Sequence, residues 1–178
     1  SWINPEGAYL NDTYNESVYA LKNIESLHFS NEAKSGYEEL TFDVSGYSEA
    51  SSISLNIQGD DLNKFTLLGT DQNDVVSVSS LVFNSGADYT IDGRGGQNFL
   101  DLSRYDLSER FDGNRLLKNY IFLNANRLSL HSGQTGEVSL RNFMGAKGTA
   151  FNRDEISGNN QDNYLVAYGQ SDSLYGRD

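Results

Sequence analysis

Three small oxygen-bearing side chains, Asp154, Asn163 and Asp172, stand nine residues apart, and each precedes an aliphatic residue by two positions: Ile156, Leu165 and Leu174. The residues between them are rich in Gly, Asn, Gln and Ser. Oxygen delivered at a fixed interval in such a setting is chemistry for a hard cation. Calcium takes about six to eight oxygen ligands, and glycine lets a tight turn aim its carbonyls inward beside the side-chain oxygens. The same phrase occurs twice earlier. LLGTDQNDVV (67–76) puts Asp74 two before Val76, and IDGRGGQNFL (91–100) puts Asn98 two before Leu100.

Other chemistry is thin. His28 and His131 are the only histidines and lie far apart, without the i, i+4 partner of a helical zinc pair. Ser26 and Ser129 lie near them, but the G-x-S-x-G elbow of a serine hydrolase is missing. The doublets Glu38-Glu39 and Asp60-Asp61 place neighbouring acids on opposite faces of a strand, which does not make a glycosidase pair. An enzyme is not expected. Asp+Glu 25 against Lys+Arg 13 gives a net charge of −12, which repels nucleic acid and anionic lipid. With Cys 0 there is neither a disulfide framework nor a cysteine zinc site. No apolar run is long enough for a membrane-crossing helix.

The elements that must position the oxygens read as strands. Leu40, Phe42 and Val44 fall on one side of an alternating run, as do Ile53, Leu55 and Ile57, then Phe65 and Leu67, then Val76 and Val78. Later come Ile121 and Leu123 opposite Tyr120 and Phe122, then Leu128 and Leu130, and Val138 and Leu140. Leu100 and Leu102 also point inward. Only 15–22 and 107–118 have room for a helical turn. Nine residues hold one short strand and one tight turn, so the expected class is all-β, a parallel β-roll or β-solenoid. Asn23 and Asn142, in the related phrases LKNIESL and LRNFMGA, are expected to stack or to cap turns by side-chain to backbone hydrogen bonds. Residues 1–60 are expected to form a β-rich cap and 61–178 the repeat region, with one continuous domain as the alternative. The aromatics of the first third, among them Trp2, Tyr9 and Tyr14, suit capping of the open N-terminal end; the alternative is an adhesin-type surface for a host glycan or protein. Ser1 in place of Met, and a close at YGRD in mid-repeat, suggest a piece of a longer protein.

These segments resemble the calcium-binding nonapeptide repeats of the RTX family, whose ideal unit is G-G-x-G-x-D-x-U-x with U aliphatic. The resemblance implies a parallel β-roll in which turn carbonyls and Asp carboxylates hold Ca2+. The residues it marks are Gly69, Asp71, Asn73, Asp74, Gly93, Gly96, Asn98, Asp154, Gly158, Asn163, Gly169 and Asp172. It further implies a secreted bacterial protein, a toxin, adhesin or exoenzyme exported by type I secretion, with this chain as a calcium-responsive folding module. The departures are specific. Arg94 stands for the second glycine and Asn98 for Asp, Gly158–Val166 keeps only its first glycine, and Arg153 lengthens the Gly148–Asp154 phrase by one residue over Gly69–Asp74. Fewer ions than repeats are expected.

Overall fold

A computed structural model describes residues 8–12, 17–21, 26–31, 39–47, 52–57, 63–81, 86–105, 118–130, 137–169 and 171–177, with side chains from Glu39 onward except at 52, 55–57, 80 and 81. Among these the structure is mostly β, in two parallel-rich sheets. The strands are β1 (Ala8–Asp12), β2 (Ser17–Leu21), β3 (Ser26–Asn31), β4 (Glu39–Asp43), β5 (Ser52–Ile57), β6 (Lys64–Leu68), β7 (Val75–Leu81) and β8 (Asp88–Asp92). They continue as β9 (Asn98–Asp101), β10 (Lys118–Phe122), β11 (Arg127–Ser129), β12 (Glu137–Arg141), β13 (Phe143–Lys147), β14 (Arg153–Ser157), β15 (Tyr164–Val166) and β16 (Ser173–Tyr175). The first sheet runs β16-β14-β10-β11-β12-β8-β6-β4-β1-β2 and the second β15-β13-β9-β7-β5-β3.

From β4 to β9 the chain alternates between the sheets, so each strand lies parallel to the one two before it. Alternating side chains then point into the space between the sheets. In the first sheet Leu40, Phe65, Tyr89 and Val138 stand side by side, and so do Phe42, Leu67, Ile91 and Leu140. In the second sheet Ile53, Val76, Leu100, Ala146 and Leu165 form the matching row. All but Leu165 are buried, in one apolar cluster. Phe42, Phe65 and Tyr89 continue it as an aromatic column with centroids 5.9 and 5.6 Å apart. Each such side chain contributes on the order of 1.5–3 kcal/mol by leaving water. β10 to β12 interrupt the alternation with an antiparallel meander inside the first sheet, turned by a short 3-10 helix, Leu123–Ala125.

The nine-residue beat has a direct structural meaning. Ile156 lies in the first sheet, Leu165 in the second and Leu174 in the first again, paired with Ile156. Nine residues therefore carry the chain across, and eighteen bring it back. Between Phe65 and Tyr89 the same return takes 24 residues.

The segment 15–22, read as open to a helical turn, instead contains strand β2, antiparallel to β1. Val18 and Tyr19 favour extended backbone, and a partner strand supplies hydrogen bonds that an isolated turn of helix cannot hold in water. Of 107–118, only Lys118 is described, as the first residue of β10. β1 also pairs with β4, and β3 with β5, so strands from before residue 60 join both sheets. No helix among the described residues is long and apolar enough to cross a membrane.

Candidate functional site

The oxygen-bearing residues singled out by spacing sit where the chain leaves one sheet for the other. Gly69 follows β6, and Asp74 immediately precedes β7. Between them the backbone turns back so far that the Asp74 carboxylate reaches the start of its own turn. One oxygen accepts the Thr70 N–H at 2.6 Å, and the other accepts the Thr70 hydroxyl at 2.7 Å. The hydroxyl oxygen in turn accepts the Gln72 N–H at 3.0 Å. Gly69 is required by closeness: a Cβ there would lie 2.7 Å from the Asp74 Oδ2. Asp74 and Thr70 are both buried.

The Gly148–Asp154 turn builds the same clamp with one residue more. Asp154 Oδ2 accepts the Thr149 N–H at 2.6 Å, and the Thr149 hydroxyl lies 3.1 and 3.2 Å from the two carboxylate oxygens. The extra residue is absorbed in the turn and the clamp survives. A third copy uses amides: Asn163 Oδ1 accepts the Asn159 N–H at 2.6 Å, while its Nδ2 donates to Asn159 Oδ1 at 2.7 Å and to the Met144 carbonyl at 3.3 Å. In a fourth, Asp172 Oδ2 accepts the Tyr168 N–H at 3.1 Å.

The clamps are also tied to one another. The Asp74 N–H donates to Asn98 Oδ1 at 2.8 Å, and the Asp154 N–H donates to Asp172 Oδ1 at 2.9 Å. Asn119, buried on β10, donates to Asp154 Oδ1 at 2.8 Å. Burial pushes the Asp154 carboxyl up to about 6; its Asn119 and Thr149 donors pull the other way, and the nearby Asp172 charge adds slightly to the rise.

Asn98 is oriented differently. Its Nδ2 faces three carbonyl oxygens: Gly93 at 2.9 Å, Gly95 at 2.8 Å and Asn142 at 2.9 Å. Gly93 has no room for a side chain, since a Cβ would come within 2.5 Å of that nitrogen. Around it, Arg94 and Gly96 take positive φ, 58° and 75°. The Arg94 guanidinium pairs with Asp71 at 3.2 Å. Asn73 Oδ1 accepts the Gln97 N–H at 2.7 Å. Asn142, at φ 61°, also donates through its side chain to Asp92 Oδ1 at 2.7 Å, a side-chain partner where a backbone one was expected.

Of the residues marked by sequence, Asp71, Asn73, Asp74, Gly93, Gly96 and Asn98 thus come together across two adjacent turns. Asp154 and Asp172 make a second group, and Gly158 and Asn163 share one turn. Gly169 takes φ 126° beside the Thr149 and Ala150 carbonyls. Tyr9 lies on β1, with its side chain outside the described residues; Trp2, Tyr14, Asn23 and His131 lie outside them altogether. Spacing did not single out Thr70, Thr149 or Asn119. The Gly-Thr phrase preceding Asp74 and Asp154 marks the first two, and Asn119 carries only the faint mark of a polar residue in phase with Ile121 and Leu123.

These turns do not suit calcium as they stand. The ion needs oxygens facing it with free lone pairs. Here N–H and O–H groups face the carboxylates of Asp74 and Asp154, a guanidinium stands beside Asp71, and an amide nitrogen occupies the point where three carbonyls meet. Among the described residues, no group of three or more His, Cys, Asp or Glu side chains is placed to share a metal. Among the described residues, one open cleft of about 350 Å³ is lined by Asn124, Asn126, Asn142 and Gln161 with Leu123 and Phe143, and Glu155 and Arg177 line another. Neither brings two carboxylates together. Compared with family models, curated proteins and solved structures, the chain matches none.

Proposed function

We propose that the chain is a non-catalytic folding module: a β-roll, or solenoid, of stacked coils within a larger secreted protein of the RTX type, whose C-terminal edge starts the ordering of further nonapeptide coils. The repeated turn clamp carries this reading. A side chain two positions before the inward aliphatic accepts a backbone N–H of its own turn in four places, and Asn98 and Asp172 each accept a backbone N–H from a neighbouring turn. These side chains spend their hydrogen bonds on closing turns and holding them in register, which is the work of a structural element.

The last coils support the assignment of an edge. Ile156 is fully covered, Leu165 partly, and Leu174 is 42% exposed. The inward row of aliphatics thus loses cover toward β15 and β16, in step with the nine-residue beat. A further coil would cover that row at the same spacing. In coils with intact G-G-x-G-x-D-x-U-x turns, calcium supplies the positive charge that neutralises and crosslinks turn oxygens. This chain's part is to hold the first rung and its backbone hydrogen-bonding edge in place.

The test is a fusion. Four consensus nonapeptide repeats placed after Asp178 are expected to fold at a several-fold lower calcium concentration than the same repeats on a flexible Gly/Ser linker, because the costly first coil is already built. Equal calcium midpoints, followed by circular dichroism, would sink the reading.

A further inference from the structure

We propose that the side-chain amide of Asn98 takes the place of a cation in this stack, so that the described turns fold without calcium, and that a single carboxylate at position 98 turns the same cage of carbonyls into a calcium site. The inference rests on the stacked-coil reading above and concerns how the stack is held.

The geometry is that of an ion site with the ion's place taken. The Gly93, Gly95 and Asn142 carbonyls converge on one point at 2.8–2.9 Å. They come from two neighbouring coils, one after β8 and one after β12. Three carbonyl dipoles aimed at one buried point repel each other unless something positive lies between them. Asn98 is itself buried, so its Nδ2 hydrogens answer that need in place of bulk water. The other end of the amide fixes its orientation. Oδ1 accepts the Asp74 N–H at 2.8 Å, and the reversed amide would set an oxygen against three oxygens and a nitrogen donor against an N–H.

Neighbouring positions repeat the device in simpler form. Asn163 Nδ2 donates to the Met144 carbonyl and to Asn159 Oδ1, and Asn119 Nδ2 donates to the Asp154 carboxylate. In these turns, as at Asn98, an amide hydrogen faces the gathered oxygen. Substituting Asp for Asn98 changes the shape of the side chain very little. It keeps the acceptor for Asp74, removes two hydrogens and adds a negative charge facing the carbonyls. The second carboxylate oxygen then stands where the nitrogen stood, 2.8–2.9 Å from three carbonyl oxygens with no hydrogen between them, and a calcium ion seated beside it among the four, at about 2.3–2.6 Å from each, offsets that repulsion.

The experiment compares the full chain with N98D and N98A by thermal melting and calorimetric titration, in chelator, in 5 mM magnesium and in 5 mM calcium. The unaltered chain is expected to be folded in chelator, with calcium raising its Tm no more than magnesium does. N98D is expected to melt about 10 °C or more lower in chelator, as an unpaired buried charge requires. Calcium, but not magnesium, should restore most of that loss with one added ion per chain. N98A should melt low in all three buffers. An unaltered chain that folds only in calcium overturns the amide assignment while leaving the stack intact. N98D that matches the unaltered chain in chelator, or that calcium fails to rescue, overturns the cage. A chain without β-structure in every buffer sinks the stacked-coil reading itself.

Discussion

The strands between Phe65 and Leu102 and those between Ile156 and Tyr175 alternate between the same two sheets, with opposite emphasis. The later ones have the cleaner sequence rhythm, an aliphatic every nine residues, yet they end in three-residue strands with Leu174 and Tyr164 in solvent. The earlier ones take 24 residues to return to a sheet and look irregular as text, yet Phe65, Leu67, Tyr89, Ile91 and Leu100 are all fully covered. Regular spacing reflects how short each turn is. Burial reflects how many neighbouring strands lie on either side. A strand inside its sheet gains cover from both sides, whereas β15 and β16, outermost in theirs, gain it from one.

Rung substitutions should break the two regions unequally. Leu67→Ala removes a fully covered side chain from a strand inside the first sheet and should cost about 2–5 kcal/mol. Leu174→Ala, already 42% exposed, should cost well under about 1 kcal/mol. Chemical denaturation of both variants checks this. Equal losses would mean that the open edge is covered in solution.

The clamps sharpen the comparison. Asp74→Ala strands the Thr70 N–H and hydroxyl in a buried turn, at a cost of about 3 kcal/mol. Asp172→Ala frees the exposed Tyr168 N–H and the N–H of buried Asp154, so about 1–2 kcal/mol is expected. Hydrogen exchange should show protection lost across β7 and β9 in the first variant and confined to β14 and β16 in the second.

Acidity distinguishes the regions next. The Asp154 carboxyl is raised, chiefly by burial, from 3.8 in the unfolded chain to about 6. The folded state therefore holds the proton more tightly, and this group makes the protein more stable as pH falls through 6 toward 4. Its ionised form costs stability above pH 6. The expected gain from this residue between pH 7.5 and pH 4.5 is about 2 kcal/mol. Carboxyl NMR of Asp154 gives its midpoint directly, and a value near 4 would remove the effect.

Much of this was legible in the residues, and what was not has a physical reason. Alternation located Leu40 and Phe42, Phe65 and Leu67, and Val76 and Val78, because a strand between two sheets has one buried face whatever its neighbours are. The beat of Asp74, Asn98, Asp154, Asn163 and Asp172 located the turns. It did not reveal what faces those oxygens, since the answer comes from far along the chain. Asn142 meets Asn98 across 44 positions, and Asn119 meets Asp154 across 35. Local pattern also left 15–22 open to a helical turn, where pairing with β1 makes a strand.

The smallest predicted effect tests whether the earlier turns are irregular at a cost. Arg94 stands where the ideal unit has its second glycine, and it still takes the backbone that glycine would take, φ 58°. A side chain in that region costs roughly 1–2 kcal/mol. Part of the cost is offset locally: the Arg94 N–H donates to Asp92 Oδ1 at 2.8 Å, a bond that glycine keeps, and the guanidinium pairs with Asp71. That pair is exposed, so its worth is about 0–1 kcal/mol. Arg94→Gly should therefore stabilise the chain by about 0.5–1 kcal/mol, less than the backbone term alone because glycine also loosens the unfolded chain. The gain should be larger in high salt, where the ion pair it removes is already screened. A loss of stability at every salt concentration would show that Arg94 holds the turn through its side chain more firmly than its backbone strains it.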